Sequence, residues 1–555
     1  DTFKLEIIVT DDTKNLTSEV EEFLIGFTID NSNDSDDPGE NPAVEQSFPA
    51  VLELSSLDGN NGFTLNGVDR SDRSGDSVSS AGDVNGDGID DLIIGASGAE
   101  ESYVVFGKSG GFSSTLELSS LDGNNGFTLN GVDEGDWSGE SVSSAGDVNG
   151  DGIDDLIIGA PDADPNDYDS GESYVVFGKS DGFDKTVELS SLDGNNGFTL
   201  NGVDSRDNSG ISVSSAGDVN GDGIDDLIIG APDSDPYGGR SGESYVVFGN
   251  SSGFNPTVEL SNLNGSNGFT LNGVDGVDES GVSVSSAGDV NEDGFDDLII
   301  GAPDADPNGS DSGESYVVFG KSNGFSSTLE LSSLDGNNGF TLNGIDSGDQ
   351  SGESVSSAGD VNGDGIDDLI IGAPDADPND YDSGESYVVF GKSDGFDKTV
   401  ELSSLDGNNG FTLNGVDSRD NSGISVSSAG DVNGDGIDDL IIGAPDSDPY
   451  GGRSGESYVV FGNSSGFNPT VELSNLNGSN GFTLNGVDGV DESGVSVSSA
   501  GDVNEDGFDD LIIGAPADKY GNDNTSGESY VVFGRPTNEA PNDPDEPTSG
   551  SSFET

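Results

Sequence analysis

One acidic stretch returns seven times along the chain, and its residue types and spacing suit the binding of a hard metal ion. The first copy, DVNGDGIDD, places side-chain oxygens at positions 1, 3 and 5, which are Asp83, Asn85 and Asp87. The main-chain carbonyl of Ile89 is available at position 7, and the carboxylate of Asp91 stands at position 9. Calcium takes six to eight oxygen ligands in a flexible arrangement, whereas magnesium prefers a tight octahedron that retains water. The stretch therefore predicts a calcium loop.

The seven copies keep the predicted ligand positions while other positions change. Position 4 changes from Gly86 to Glu292, and position 7 changes from Ile89 to Phe295. From the second copy onward the spacing between copies is constant. A fixed period of this kind indicates a repeat architecture, and we expect up to seven calcium ions, one per repeat. The predicted ligands are Asp83, Asn85, Asp87, Ile89, Asp91, Asp147, Asn149, Asp151, Ile153, Asp155, Asp218, Asn220, Asp222, Ile224, Asp226, Asp289, Asn291, Asp293, Phe295, Asp297, Asp360, Asn362, Asp364, Ile366, Asp368, Asp431, Asn433, Asp435, Ile437, Asp439, Asp502, Asn504, Asp506, Phe508 and Asp510.

The same acidic stretch could be a metal-free surface turn or belong to another type of calcium-binding loop, and each of these has its own sequence requirements. An acidic surface turn of the Asn-Gly or Asp-Gly kind needs no metal. An EF-hand needs flanking helices and an acidic ligand at position 12, but position 12 is Ile94, inside the apolar run 92–94. The short glycine-rich repeat of a calcium β-roll does not occur in the sequence. A simple turn and a strand-to-strand calcium loop remain, and the sevenfold repetition favours calcium.

The elements around each loop are short and strand-like. In the second unit they are FTLNG (127–131), SVSSAGDV (141–148), DLIIGA (155–160) and SYVVFG (173–178), each bounded by Gly, Asn, Asp or Pro. Continuous apolar runs suit strands that are buried on both faces. The small side chains of SVSSAG suit the crowded inner strand of a blade. We therefore predict an all-β fold, a seven-bladed β-propeller of four-stranded antiparallel blades that spans residues 48–534.

The order of the strands predicts how the ring closes. The chain meets FTLNG first, at 63–67, and leaves the last unit after its SYVVFG run at 529–534. The last blade would then lack its outer strand. We expect residues 63–67 to join the sheet that contains 529–534, which pairs two edges that would otherwise be exposed.

Composition limits the partners. The chain has 109 acidic and 16 basic residues, a net charge of -93, no histidine and no cysteine. Nucleic acid and anionic membranes would be repelled, so cations are the expected partners. The commonest general base and the thiolate are missing, and we expect no enzyme activity. No apolar stretch is long enough to span a bilayer, so we expect no membrane insertion.

The flanking segments differ from the repeats. Residues 1–29 hold two alternating runs and predict a β-hairpin, and IIVTDDT followed by EVEEFLIGFTIDN resembles the last two strands of a Calx-β domain. Residues 30–47 read as an acidic linker, and residues 535–555 as a disordered acidic tail.

The repeated motif carries a second resemblance. GDVNGDGIDDLIIGAP resembles the FG-GAP repeat of integrin α-subunit propellers with their DxDxDGxxD calcium loops, and the similarity covers about 48–534. The Phe-Gly that opens the family motif is replaced by Ser-Gly at Ser138-Gly139 and Ser209-Gly210. The FTLNG and SYVVFG motifs are similar to segments of bacterial, notably cyanobacterial, surface proteins with integrin-like repeats. The resemblance implies an extracellular or cell-surface protein.

Strand alternation predicts two unlike faces. The calcium loops share one face with connections such as 178–197, while loops such as 160–171 and 130–139 lie on the other. The second face carries most of the variation between repeats. Its unusual residues are Trp137, Arg206, Arg240, Arg419, Arg453 and the short loop 97–100. They suit either a docking surface or ordinary solvated loop tips. Asp162, Asp164 and Asp169 form a weaker candidate for further calcium.

Three classes of function fit these features. The first is an adhesion or binding module that presents a protein or glycan ligand site on the face opposite the calcium loops. The second is a structural surface-layer or spacer protein that buffers calcium. The third is a propeller hydrolase with a carboxylate pair. Units 2–4 return nearly unchanged as units 5–7, since DYDSGESYVVFGKSDGFDKTVELSS starts at position 167 and again at position 380. This near-identity leaves few singular residues for an asymmetric active site.

Overall fold

The structure, a computed structural model, describes residues 48–236, 239–449, 452–516 and 526–536. All of them belong to the second of the chain's two units, Asp1–Glu45 and Gln46–Thr555. The predicted hairpin at 1–29, the linker at 30–47 and residues 537–555 of the predicted tail lie outside the described residues. No helix within the described part is both long and apolar enough to cross a bilayer.

Seven sheets, here called blades 1 to 7 in the order of their inner strands, stand around a common centre. The inner strands of neighbouring blades contact each other, and that of blade 7 contacts that of blade 1, so the ring is closed. The predicted seven-bladed propeller is confirmed. The predicted strand positions agree closely with the observed ones, and DLIIGA agrees at both ends.

Each blade has five strands, of which the first four run antiparallel. The inner strands are Ser74–Gly82, Val142–Gly146, Ser212–Gly217, Val284–Gly288, Ser354–Gly359, Ser425–Gly430 and Val497–Gly501. The second strands are Asp91–Ala96, Asp155–Ala160, Asp226–Ala231, Asp297–Ala302, Asp368–Ala373, Asp439–Ala444 and Asp510–Ala515. The third strands are Glu101–Val105, Glu172–Val176, Glu243–Val247, Glu314–Val318, Glu385–Val389, Glu456–Val460 and Glu528–Val532. The fourth strands are Gly126–Asn130, Gly197–Asn201, Gly268–Asn272, Gly339–Asn343, Gly410–Asn414, Gly481–Asn485 and, in blade 7, Gly62–Asn66.

The fifth strand corrects the prediction of four-stranded blades. It is very short, too short to show an alternating pattern, and it pairs parallel to the fourth strand, as Thr186–Glu188 does with Gly126–Asn130. The fifth strands are Thr186–Glu188, Thr257–Glu259, Thr328–Glu330, Thr399–Glu401, Thr470–Glu472, Val51–Glu53 in blade 6 and Thr115–Glu117 in blade 7. The short 3₁₀ helices are Leu54–Ser56, Ser97–Ala99, Leu118–Ser120, Leu189–Ser191, Leu260–Asn262, Leu331–Ser333, Leu402–Ser404 and Leu473–Asn475.

The hydrophobic core lies between neighbouring blades. Every residue of the second strand, DLIIGA, is buried, because the strand packs against a blade on either side. Between blades 1 and 2, for example, Ile93 and Phe127 form one cluster with Val142 and Ile158. Parallel phenylalanine rings extend this packing outward, as where Phe127 stacks on Phe183 with ring centroids 4.1 Å apart. The space between neighbouring blades is narrow near the centre of the ring and widens outward. The inner strands therefore carry small side chains and the second strands carry larger ones.

The ring closes on the N-terminal side with two strands rather than one. Gly62–Asn66 pairs antiparallel with Glu528–Val532, and Phe63 stands opposite Val531, which confirms the predicted closure. Val51–Glu53 also pairs parallel with Gly481–Asn485 in blade 6. Residues before the predicted closing strand therefore complete a second blade.

Serine side chains also link the inner strands around the ring. The Ser77 hydroxyl accepts a hydrogen bond of 3.0 Å from the backbone N–H of Val142 in the next blade. The same bond occurs at each later interface, and Ser496 of blade 7 accepts one of 3.0 Å from Val78 of blade 1. These bonds satisfy a donor on each inner strand that has no partner within its own sheet.

Candidate functional site

The seven acidic loops lie on one face of the ring, here called the lower face. Each joins an inner strand to a second strand, and the connections from third to fifth strands, such as 106–114, share that face. The upper face carries the loops from second to third strands, such as 161–171, and the inter-blade loops from fourth to inner strands, such as 202–211. All the predicted ligands therefore lie on the lower face, one set to each blade.

Within the first loop, the carboxylates of positions 1 and 5 hold the backbone in its turn. The two carboxylate oxygens of Asp83 accept hydrogen bonds from the N–H groups of Asp87, at 2.9 Å, and Gly88, at 2.7 Å. The carboxylate of Asp87 accepts one of 3.1 Å from the N–H of Ile89. The bond from position 5 to position 1 recurs in the other six loops. The loop is thus preformed around side chains that each retain free oxygen lone pairs.

The aspartate at position 9 is the buried member of each set. Asp91 is fully buried, and it accepts hydrogen bonds from the Asn85 amide, at 2.9 and 3.1 Å, and from the N–H of Gly107, at 2.9 Å. Burial raises the pKa of Asp91 to about 8, and the nearby Asp87 and Asp83 carboxylates add to the shift. Its counterparts Asp155, Asp226, Asp297, Asp368, Asp439 and Asp510 are also fully buried.

The loop side chains supply oxygen atoms, the ligand type that calcium prefers. A buried carboxylate is costly unless a cation or hydrogen-bond donors compensate its charge. Among the described residues, no ion pair joins a lysine or arginine to any of these loops. In the sixth loop the Asn433 side-chain oxygen is buried and has no hydrogen-bond partner. No three acidic side chains of the described residues converge as a ready metal cluster, and calcium binding stays a prediction.

Position 8 of each loop has a role that the sequence did not reveal. The carboxylate of Asp154 accepts a hydrogen bond of 2.8 Å from the backbone N–H of Asp83, the first residue of the preceding loop. The same bond follows at every interface, and Asp90 of blade 1 accepts one of 3.0 Å from Asp502 of blade 7. Each acidic loop is therefore fixed to the next, and the constancy of aspartate at position 8 was the available signal.

A glycine makes this contact possible. Gly146 precedes the second loop with φ of +67°, and a Cβ added there would lie 2.3 Å from the Asp225 carboxylate. Only glycine satisfies both the left-handed backbone and the close approach.

The upper face carries the residues that suit a docking surface. Arginines 70, 73, 206, 240, 419 and 453 lie on upper-face loops, whereas lysines 108, 179, 185, 321, 392 and 398 lie on lower-face connections. Large apolar side chains that are exposed within the described part also gather there, with Val51 as the exception. They are Val68, Val132, Trp137, Tyr168, Val277, Tyr381 and Val490.

Three of the upper-face arginines lie over aromatic rings. Arg73 lies 5.4 Å from the ring centroid of Trp137, and Arg206 lies 5.9 Å from that of Tyr168. Arg419 repeats the second pair with Tyr381 at 6.0 Å. Three of the predicted residues, Trp137, Arg206 and Arg419, are therefore each paired with a residue that the sequence did not single out.

Several of the remaining predicted groups form hydrogen bonds between or within the upper-face loops. Asp162 accepts a hydrogen bond of 3.1 Å from the Asn208 amide, and Asp164 accepts one of 2.7 Å from the N–H of Asp169. In the short loop 97–100, the Glu100 carboxylate accepts hydrogen bonds from the N–H groups of two residues in the next inter-blade loop. The Ser138 hydroxyl, where the family motif would have phenylalanine, is buried and has no hydrogen-bond partner.

Comparison with known families agrees with this architecture. The FG-GAP repeat matches seven times, at 74–106, 138–176, 209–247, 280–318, 351–389, 422–460 and 493–532. Each match begins at or before an inner strand and ends at or just beyond the third strand. Every match therefore contains one of the seven acidic loops.

Several known proteins are similar over part of the chain. A phosphatidylinositol-glycan-specific phospholipase D of Dictyostelium discoideum is 28% identical over 418 residues, which cover 71% of this chain and 41% of that protein. Integrin alpha-PS2 of Drosophila melanogaster is 27% identical over 259 residues, 46% of this chain and 17% of the integrin. Integrin alpha pat-2 of Caenorhabditis elegans is 30% identical over 244 residues, which cover 40% of this chain and 17% of that integrin. The chain thus spans less than half the length of each of these relatives.

Proposed function

Because the chain is an FG-GAP-repeat propeller that resembles those of integrin α-subunits, we propose that it is a calcium-binding adhesion or binding module, extracellular or on a cell surface. Its partner is a protein or glycan that docks on the upper face. The observation that carries the proposal is the segregation of side chains between the faces. Arginine, tryptophan and tyrosine supply much of the energy of protein interfaces. Among the described residues, Trp137, the exposed tyrosines and every arginine except Arg535 lie on the face away from the acidic loops.

Calcium has a structural role in this proposal. Each loop holds three predicted ligand aspartates, and the position-8 aspartate of the next blade is bonded to the loop's first residue. A bound cation would lower the repulsion between these carboxylates and fix the hairpin between the inner and second strands. The expected affinity is that of extracellular calcium modules, roughly 10⁻⁴–10⁻³ M or somewhat tighter.

Attachment of beads coated with the 555-residue chain to intact cells and to extracellular matrix tests the binding role. The variant Trp137→Ala removes an upper-face side chain that is 38% exposed, and we expect weaker attachment. Lys179→Ala, on the lower face, is the matched control and should attach as the parent does. Equal attachment by the parent and by uncoated beads would contradict the proposal.

Two alternative functions can be distinguished from the adhesion or binding role by experiment. A spacer or calcium-buffering protein would bind calcium and show no attachment. A hydrolase role is raised by the phospholipase D among the relatives, and a panel of phospholipid and glycoside substrates tests it. Because the sequence has no histidine or cysteine, such an enzyme would depend on carboxylates or a metal.

A further inference from the structure

A groove on the upper face, between blades 2 and 3, has the size and lining of a small-ligand site. Its volume is about 600 Å³, within the range of ligand pockets. The groove is lined by Tyr168, Asp169, Ser205, Arg206, Asn208, Asp233, Asp235 and Arg240. These residues come from two second-to-third-strand loops and the inter-blade loop between them, so the groove exists only where the two blades meet.

The groove combines an exposed aromatic ring with a guanidinium that forms no salt bridge within the described part of the chain. Tyr168 is 58% exposed, and the Arg206 guanidinium lies 5.9 Å from its ring centroid. Among the described residues, Arg206 forms no ion pair. Arg240, in contrast, is held by Asp233 and by Glu279 of the next inter-blade loop, each at 3.2 Å. One arginine fixes the wall of the groove, and the other is available to a ligand.

The backbone at this place is strained in a way that the fold does not require. Arg206 has φ of +68°, a left-handed conformation that costs a residue with a side chain free energy and glycine little. The equivalent positions in two other inter-blade loops are Gly135 and Gly348, with φ of +101° and +92°. The loop therefore folds with glycine in two other copies and with Ser71 or Val277 in two more, so the left-handed position accepts several residue types and carries arginine at the groove.

The same constellation occurs a second time, between blades 5 and 6. Tyr381 is also 58% exposed, and the Arg419 guanidinium lies 6.0 Å from its ring centroid, with φ of +69°. Arg453 is held by Asp446 at 3.3 Å and by Glu492 at 3.4 Å. The upper face thus presents the same side-chain arrangement at two blade interfaces.

The chemistry of the lining selects the ligand. Guanidinium and amide donors alternate with the carboxylate acceptors of Asp169 and Asp235 beside an exposed ring, and hydroxyl groups can both donate and accept hydrogen bonds. The ring face offers apolar contact to the C–H groups of a sugar. A polyanion would be repelled by the net charge of -93. A polycation would be attracted to most of the surface and would be repelled by the free arginine.

We propose that the Tyr168–Arg206 and Tyr381–Arg419 grooves each bind a short stretch of an uncharged glycan, which makes the propeller a two-site glycan-binding module. This inference rests on the proposed binding role of the upper face and specifies its ligand. Two equal sites on one face would increase the apparent affinity for a polysaccharide surface without further contacts.

Calorimetric titration of the full chain in calcium with cellohexaose, mannohexaose and maltohexaose tests the proposal. We expect at least one of these to bind with two equal sites per chain. Arg206→Gly should reduce the stoichiometry to one, and the double variant Arg206→Gly/Arg419→Gly should abolish binding. Because glycine suits this backbone, both variants should melt at or above the temperature of the parent chain, which separates loss of binding from loss of folding.

Two controls accompany the variants. Ser71→Gly makes the same backbone change at an equivalent position with φ of +69°, and Lys179→Ala removes a positive charge from the lower face; both should bind two equivalents. Binding to none of the neutral saccharides, or an unchanged stoichiometry in Arg206→Gly, would overturn the inference. Preference for polygalacturonate would overturn its ligand class. If bead attachment still depends on the upper face in any of these cases, the proposed function stands while the inference fails.

Discussion

Removal of the closing segment, residues 46–67, should abolish the cooperative folding of the ring. The segment supplies Val51–Glu53 to blade 6 and Gly62–Asn66 to blade 7, so its loss leaves two blades incomplete and two sheet edges open. Deletion of residues 1–45 is the matched control, because it removes a longer piece of chain and leaves both closing strands. We expect the control to melt as the parent chain does.

The size of the effect follows from the side chains that the segment buries. Phe48, Leu52, Leu54, Leu57, Phe63 and Leu65 are all at most 9% exposed. Each such side chain contributes about 1.5–3 kcal/mol when it is fully buried, so the loss is on the order of 10 kcal/mol, comparable with the whole stability of a domain. Phe48 adds a stacked contact with Phe482, with ring centroids 4.3 Å apart.

Thermal melting followed by far-ultraviolet circular dichroism and by calorimetry measures the effect. We expect no cooperative transition, or one at a much lower temperature, and partial rescue when a synthetic peptide of residues 46–67 is added. The peptide sequence suits the position that the deletion leaves open. Residues 52–67 are identical to residues 116–131, which supply the corresponding fifth and fourth strands to another pair of neighbouring blades. Unchanged melting of the 46–67 deletion would refute the double closure.

Three further predictions concern single positions. Burial raises the pKa of Asp278 to about 6 from an ordinary 3.8, so the folded state holds this proton more tightly than the unfolded state between those values. The calcium-free chain should therefore become more stable as the pH falls through that range, and Asp278→Asn should flatten the change in melting temperature. Gly146→Ala brings a Cβ to 2.3 Å from the Asp225 carboxylate and should destabilise the chain by about 2 kcal/mol in urea melts, whereas Gly182→Ala, with φ of +92° and open space around it, should cost less. The single tryptophan, Trp137, is 38% exposed on the upper face, and its fluorescence should change when a partner docks there and stay constant if partners dock on the lower face.

The sequence was sufficient for the fold because the fold is repeated. The pattern of one blade, in which DLIIGA lies between a run of small residues and a run that contains aromatic residues, recurs seven times. The additional FTLNG at 63–67, before the first inner strand, indicates closure with the last blade. The fifth strands were missed because such short segments carry no periodicity and their parallel partners are distant in sequence, as for Thr186–Glu188 and Gly126–Asn130. The second closing strand, Val51–Glu53, was missed for the same reason.

The candidate sites were predictable only within single loops. The spacing of oxygens from Asp83 to Asp91 is visible in the sequence, but the bond from Asp154 to the preceding loop joins residues that are distant in the chain. The groove at Tyr168 likewise depends on which loops meet across a blade interface. Its signal in the sequence was the placement of Arg206 and Arg419 where the other copies have glycine, serine or valine. The sequence alone does not show that this position faces a groove.

Calcium titration of the full chain tests the central claim most directly. Equilibrium dialysis after treatment with a chelator should show up to seven ions bound per chain, and calcium should raise the melting temperature where magnesium at the same concentration raises it less. Asp87→Ala, which removes an exposed predicted ligand of the first loop, should reduce the stoichiometry by one. Asp181→Ala, which removes an exposed carboxylate on the lower face outside the loops, should not. The account would be contradicted if no calcium bound at millimolar concentration and the melting temperature were the same with and without the chelator.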